Sequence, residues 1–404
     1  MNPDQRYKLK PRDVIVAVAV CAVVIFLLLP ALTGRRGDDR RLQCQNNMRQ
    51  LALGLLGFSN AKRAFPNAGT ILDDPAFHQG DPRRSNIYQM FTDPQSAGHD
   101  SKILLRSWTV DILPYIDNQE LYNAWNLEAD YLSPAKSTFG PSNMLIAKTT
   151  IGILRCPADP TVAVGEGNQS YVVNGGFVRW PAIPVSWSGH QRDGLSSNGQ
   201  TLKWTQTAAD WKEVQAVGQK LGVMFLGTQT GDQPWDIKST PSSVSDGASS
   251  TLLLGENTLV GYSSGDSPYS GRRPSNWACP LPNFTMFIGS DNICQSKFAV
   301  VDCLAGQLTP QSGGADGPGW ANSNVIGTFE NIGYGRSLTV EGSFPFVNSG
   351  HADGNNFVFC DGAVRFVKTT IDGTVYSKLI TPAGGKLPAN IKQGPSPSSI
   401  PDAE

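Results

Sequence analysis

The sequence predicts an α+β fold, in which a long N-terminal helix, half transmembrane and half amphipathic, packs on a mainly antiparallel β-sheet domain with long loops. Three observations predict it. Residues 14–29 form an unbroken apolar run, VIVAVAVCAVVIFLLL. Beyond it, Cys44, Met48, Leu51, Leu55 and Phe58 fall on one stripe at helical spacing. From about Ser107 onward, short β-rich runs alternate with Gly, Pro, Asn and Ser turns.

Residues 1–13 read as a cytoplasmic head and residues 14–32 as a transmembrane anchor. At ~1.5 Å rise per residue, a run of that length spans about 28 Å, close to the ~30 Å hydrocarbon core of a bilayer. Only a helix satisfies its backbone there. A cleaved signal peptide and a buried core helix are the alternatives. The run ends in LLLPALTGRR, where Ala31-x-Thr33 is a poor small-x-small cleavage site, which favours a retained anchor. Arg6, Lys8, Lys10 and Arg12 precede the run and Arg35, Arg36, Arg40 and Arg41 follow it, so flanking charge barely sets orientation. Size does: a short head stays inside, and the large domain is exported to the periplasmic or extracellular side of the cell membrane. Residues 33–62 then form an amphipathic stem, past a kink expected at Pro30, with Asn60 and Pro66 closing it.

The rest, residues 63–385, reads as one globular extracytoplasmic domain, followed by a Pro/Ser-rich tail at 386–404 expected to be disordered. A net charge of −1 with no basic block excludes a nucleic-acid footprint. Charged residues at 17 %, with 42 Gly and 28 Pro, favour loops and sheet over a helical bundle. Imidazole chemistry is restricted to His78, His99, His190 and His351. Cys21 lies inside the apolar run. Cys44, Cys156, Cys279, Cys294, Cys303 and Cys360 contain no Cys-x-x-Cys pair, which argues against a zinc ribbon or thioredoxin-type centre. Export permits disulfides, with Cys279, Cys294 and Cys303 as the nearest local cluster; free buried thiols are the equal alternative.

Within the domain, residues 109–125 (TVDILPYIDNQELYNAW) begin extended and turn helical after Pro114, with Leu121 and Trp125 on one face. Residues 244–257 contain an Asp-Gly turn and an apolar strand at 251–254 ending on Gly255 and Glu256. Residues 355–368 are the clearest hairpin, with Asp361-Gly362 as a two-residue type I′ turn. Residues 162–235 show no pattern that organises them.

These stretches carry a resemblance. His351, nine residues, then Asp361-Gly362 fits a prepilin-type H-x9-D-G motif. In order along the chain stand LLLPA, QCQNNMRQLALGL, AFPNAG, SWTVDILPYIDNQELYNAW, LRCPADP, SYVVNGG and DGASSTLLLGE. Together they resemble the bacterial pilin-like family called domain of unknown function 1559, over nearly the whole chain except the middle insertion and the tail. That family is similar to type IV pilins and pseudopilins in its N-terminal helix, and its members are usually taken as envelope or secretion-associated proteins. The resemblance implies architecture more than activity. It also carries a departure. Family members begin with a Gly-Phe-Thr-Leu-Ile-Glu site cut after the Gly by prepilin peptidase. Aligned on Pro30, the Gly falls on Lys8, the Phe on Leu9 and the Glu on Asp13. The small residue before the scissile bond is gone, so neither cleavage nor N-methylation is expected.

Chemical readings of single motifs are weaker. His351, Asp353, Asn355 and Asp361 cluster in sequence but match no EF-hand, and the expectation is that His351 and Asp361 brace the hairpin while Gly362 completes its turn. Gly261-Tyr-Ser263-Ser-Gly265 matches G-x-S-x-G without a helical pattern after it. Glu256 and Asp246 read as charged turn residues rather than paired catalytic carboxylates. No catalytic residue, metal or cofactor is therefore expected. The leading function is a membrane-anchored structural or interaction role with envelope or secretion-assembly partners. Polysaccharide or peptidoglycan binding through exposed Trp and Tyr is the alternative, and a secreted hydrolase a remote one.

Overall fold

A computed structural model describes residues 11–72, 103–137, 140–177, 208–233, 236–265, 272–290, 315–340, 345–389 and 391–397, together with 194–195, 201–202 and 342; residues 24–36 and 208–214 are described by their helix alone. The chain opens with α1, Pro11–Lys62, a single helix of 52 residues. It passes Pro30 without a break, so the expected kink does not end the helix; one missing amide donor is tolerated. Asp13 sits in its first turn, exposed beside Arg12, while Lys8 and Leu9 lie outside the described residues. Among the described residues no helix is long and apolar enough to cross a membrane; the second half of the apolar run falls in 24–36.

Burial changes abruptly along α1. Val14, Ile15, Val16, Val18, Val20 and Val23 are exposed, whereas Cys44, Met48, Leu51 and Leu55 are 0 % exposed. The stripe is thus the face that enters the core, with Phe58 half-buried against Tyr115. Each such aliphatic side chain contributes about 1.5–3 kcal/mol by burial.

After α1 come β1 (Gly69–Ile71), β2 (Leu104–Ser107) and the short helix α2 (Trp108–Ile112). The expected extended stretch before Pro114 is therefore already helical, because Ser107 caps it by accepting from the Thr109 amide. Next are β3 (Tyr171–Phe177), α3 (Ala208–Leu221), β4 (Leu226–Thr228), β5 (Leu252–Glu256) and β6 (Met286–Gly289). The hairpin strands β7 (Gly354–Phe359) and β8 (Val364–Lys368) lead into α4 (Gly373–Ile380).

The main sheet has strand order β6-β3-β5-β7-β8. All its neighbours are antiparallel except β6 and β3. A smaller sheet, β2-β1-β4, has one antiparallel and one parallel pairing. The α+β class and the antiparallel-rich sheet match the sequence reading. Strands β3, β5 and β7 are buried along their whole length, which requires cover on both faces. Asn356 meets Gln45 of α1, and its neighbour Phe357 meets Tyr376 of α4. Successive strand residues point to opposite faces, so α1 covers one side of the sheet and α4 the other.

Two corrections concern the C-terminal part. The hairpin turn is not a two-residue type I′ turn. The Gly362 amide donates to the Phe359 carbonyl at 2.8 Å and the Phe359 amide to Ala363 at 2.9 Å, with positive φ at Gly362 (86°) but not at Asp361. This is a three-residue loop closed by a bulged glycine. A Cβ at Gly362 would lie 3.3 Å from Leu56 Cδ1, so Gly362→Ala adds backbone strain at a point that touches α1. We expect it to cost about 1–2 kcal/mol in chemical denaturation. The tail, expected to be disordered from 386, stays packed through 397. Leu387, Ile391 and Gln393 are buried, and the Gly394 amide donates to Asp316. Residues 398–404 lie outside the described residues.

A candidate functional site where helix meets sheet

The register of the main sheet builds one polar row. Tyr171 on β3 pairs with Glu256 on β5, and Asn356 on β7 pairs with Phe366 on β8. The row faces α1. Arg41 lies over the Phe366 ring at 4.9 Å, Gln45 Nε2 donates to Asn356 Oδ1 at 3.0 Å, and Asn47 Nδ2 donates to the Arg155 carbonyl at 2.8 Å. Cys44, one residue before Gln45, is disulfide-bonded to Cys156. The cysteines nearest in sequence to one another do not supply this bond: Cys279 is a buried free thiol, as is Cys360, while Cys294 and Cys303 lie outside the described residues. Burial pushes the Cys279 thiol up to about 11 and the Cys360 thiol further still, so both stay protonated.

Glu256 is the centre of the site. It is 1 % exposed, which corrects its reading as a turn residue. Its Oε2 accepts from the Asn356 amide at 2.7 Å, both oxygens lie 3.2 Å from Asn356 Nδ2, and Oε1 lies 3.2 Å from His351 Nε2. His351 Nε2 in turn is 3.5 Å from Cys156 Sγ. The expectation that His351 and Asp361 brace the hairpin together is half corrected. Asp361 does brace the turn, accepting from the Ala363 amide at 2.9 Å. His351 precedes β7 and Asp361 follows it, so a six-residue strand, roughly 20 Å long, separates them.

The loop carrying His351 is fixed by its neighbours. Ser349 Oγ donates to the Gly354 carbonyl and accepts from the His351 amide, and Arg336 Nε donates to the Ser349 carbonyl. Gly350 lies so close to the Cys156–Asp159 turn that a Cβ there would fall 1.7 Å from the Ala158 carbonyl oxygen. On that turn, buried Asp159 accepts from the Ser170 hydroxyl at 2.6 Å and from the Thr161 amide and hydroxyl, while Ser170 Oγ accepts from the Cys156 amide. Burial raises the Asp159 carboxyl above its ordinary 3.8, the hydroxyl and amide donors oppose that, and the Glu256 charge adds to it. Burial and then Glu256 likewise hold the Tyr171 phenol well above its usual range, so it stays neutral.

The Asp159 shift gives a signed prediction. The folded state binds this proton more tightly, so Asp159 costs stability as pH rises from 3.8 through its raised value. The stability difference between wild type and Asp159→Asn is therefore expected to fall with pH across that window and level off above it. Urea denaturation of both chains at a series of pH values rising from 3.8 reads it directly.

Other motifs are placed differently. Ser263 of the G-x-S-x-G stretch forms an isolated bridge with Ser275 rather than a strand-to-helix elbow. Asp246 accepts from the Gly384 amide, away from Glu256 at the other end of β5. Trp108, Trp125, Trp277 and Trp320 are buried and do not supply an exposed aromatic row. Asp353 adopts positive φ in the loop, and Asn355 is buried on β7.

Asn356, Gln45, Asp159 and the Cys44–Cys156 pair were not singled out from sequence, and Glu256 was read there only as a charged turn residue. Their signal was there in another form: each lies in or beside a stretch that carried the family resemblance. Comparison with protein-family models matches residues 36–374 to the family described as Protein of unknown function (DUF1559). The chain belongs to this family. Comparison with curated proteins and with solved structures returns no match. Several of the stretches that carried the resemblance thus meet in one place, where α1 packs on the main sheet.

Proposed function

We propose that this DUF1559 protein is a membrane-anchored, pilin-like envelope protein with a structural or interaction role. Its N-terminus lies inside and its β domain outside the cytoplasm. One observation carries the reading: a single helix exposes its apolar valines between 14 and 23 and buries its stripe from Cys44 onward in the domain. The apolar sequence continues through residue 32, long enough for a span of about 28 Å. The Cys44–Cys156 disulfide is supporting, because such bonds persist in oxidising compartments. The site at the helix–sheet junction is then the clamp that holds the domain upright on its stalk.

Alkaline carbonate extraction of native membranes tests the anchor. The full chain is expected in the membrane pellet, with an intact mass that includes Met1 and with its domain degraded by protease added from outside. Release into the carbonate supernatant would sink the anchor reading. A mass starting at Leu9 with an added methyl group would replace it with a processed, filament-forming subunit.

A further inference from the structure

The geometry points to a second state of the helix clamp: with the disulfide reduced, Cys44, Cys156, His351 and Glu256 form a four-ligand site for a zinc-type divalent cation. This goes beyond the anchor reading and does not rest on it.

One ligand atom from each residue lies within 4.8 Å of every other, and all four side chains are buried. Zinc takes thiolate sulfur at ~2.3 Å and imidazole nitrogen or carboxylate oxygen at ~2.0–2.2 Å, in a tetrahedron. Those bond lengths require edges of about 3.5 Å between sulfur and nitrogen and about 3.3 Å between nitrogen and oxygen. The protein already has both: Cys156 Sγ to His351 Nε2 is 3.5 Å, and His351 Nε2 to Glu256 Oε1 is 3.2 Å. The two sulfurs must part, from a covalent bond to the ~3.8 Å edge set by two Zn–S bonds, and the remaining sulfur edges start from within 4.8 Å.

The surroundings suit an ion as well. Glu256 Oε2 is held by the Asn356 amide, Oε1 lies 3.2 Å from both Asn356 Nδ2 and His351 Nε2, and the Cys156 amide is held by Ser170 Oγ. Such outer contacts fix ligand orientation. Two thiolates with one imidazole and one carboxylate form a soft-to-borderline set that favours zinc over calcium or magnesium. The ligands come from α1, the Cys156 turn, β5 and the loop before β7, so the ion would bind helix to sheet as the disulfide does.

The chemistry balances with a dithiol as reductant. Its two thiols transfer two electrons and two protons to the Cys44–Cys156 bond, giving two cysteine thiols and one cyclic disulfide. Binding of the cation then displaces one proton from each thiol. In the oxidised state neither sulfur carries charge, so metal and disulfide are alternative states of one clamp.

The test is a Co2+ titration of the full-length chain in detergent, before and after treatment with excess dithiol that is then removed. The reduced chain is expected to bind one Co2+ with a thiolate-to-cobalt charge-transfer band, to release two protons per ion, and to yield the Co2+ to Zn2+. The oxidised chain is expected to show no such band. Cys44→Ser and His351→Gln should each weaken binding by ~100-fold or more, at or beyond the range for loss of an outer contact; Cys279→Ser should not change it. If reduction unfolds the metal-free chain, metal should restore its near-ultraviolet circular dichroism. Absence of the band in reduced protein, failure of metal to restore an unfolded chain, or a band that survives Cys44→Ser would each overturn the site.

Discussion

Cys44→Ser is expected to lower the stability of the domain by about 2–5 kcal/mol, toward the upper end because the bond closes a long loop. The two cysteines are separated by 112 positions, so the reduced, unfolded chain gains much more freedom than it would from a short loop. The effect should appear in denaturant titrations as a lower midpoint. Cys156→Ser should match it, and the double variant should cost little more than either, because both single variants abolish the same bond. Peptide mapping without reductant should recover the Cys44 and Cys156 peptides joined. A midpoint unchanged by Cys44→Ser would mean that packing of the Met48, Leu51 and Leu55 face alone holds α1 in place.

Glu256→Ala is expected to cost about 3–5 kcal/mol with the disulfide intact. Removing the carboxylate leaves the Asn356 amide, the Asn356 side-chain amide and His351 without their buried partner, and each orphaned group costs about 1–3 kcal/mol. Relaxation keeps the total below the simple sum. Glu256→Gln preserves the shape and one acceptor oxygen, so its cost should be smaller, about 1–2 kcal/mol. Equilibrium unfolding of both variants at neutral pH decides it. Equal costs for Ala and Gln would show that charge rather than hydrogen bonding carries the role of Glu256.

What the sequence made legible was local. The stripe from Cys44 to Phe58 announces itself because helical spacing is written in neighbouring residues. The β7–β8 hairpin does so because turn residues sit between two β-rich runs. Strand β3 was hidden: buried on both faces and carrying two consecutive glycines, Gly175 and Gly176, it shows no alternation. The site was hidden for a different reason. Burial of Glu256 depends on partners far along the chain, and the Cys44–Cys156 pairing follows from the docking of α1, which no local pattern encodes. His351 and Asp361 misled because a fixed spacing suggests contact. Here the spacing instead measures the length of a strand.

The disulfide also decides how a pull on α1 would travel. Force entering along the helix reaches Cys44 and crosses by a covalent bond to Cys156, next to strands at the middle of the main sheet. That covalent path bypasses the described elements between the two cysteines, β1, β2 and α2, which are packed in the core. Strain is thus delivered to the Cys156 turn, which is tied through Ser170 to the start of β3. Opening that one bond would reroute the same pull through the backbone of those packed elements.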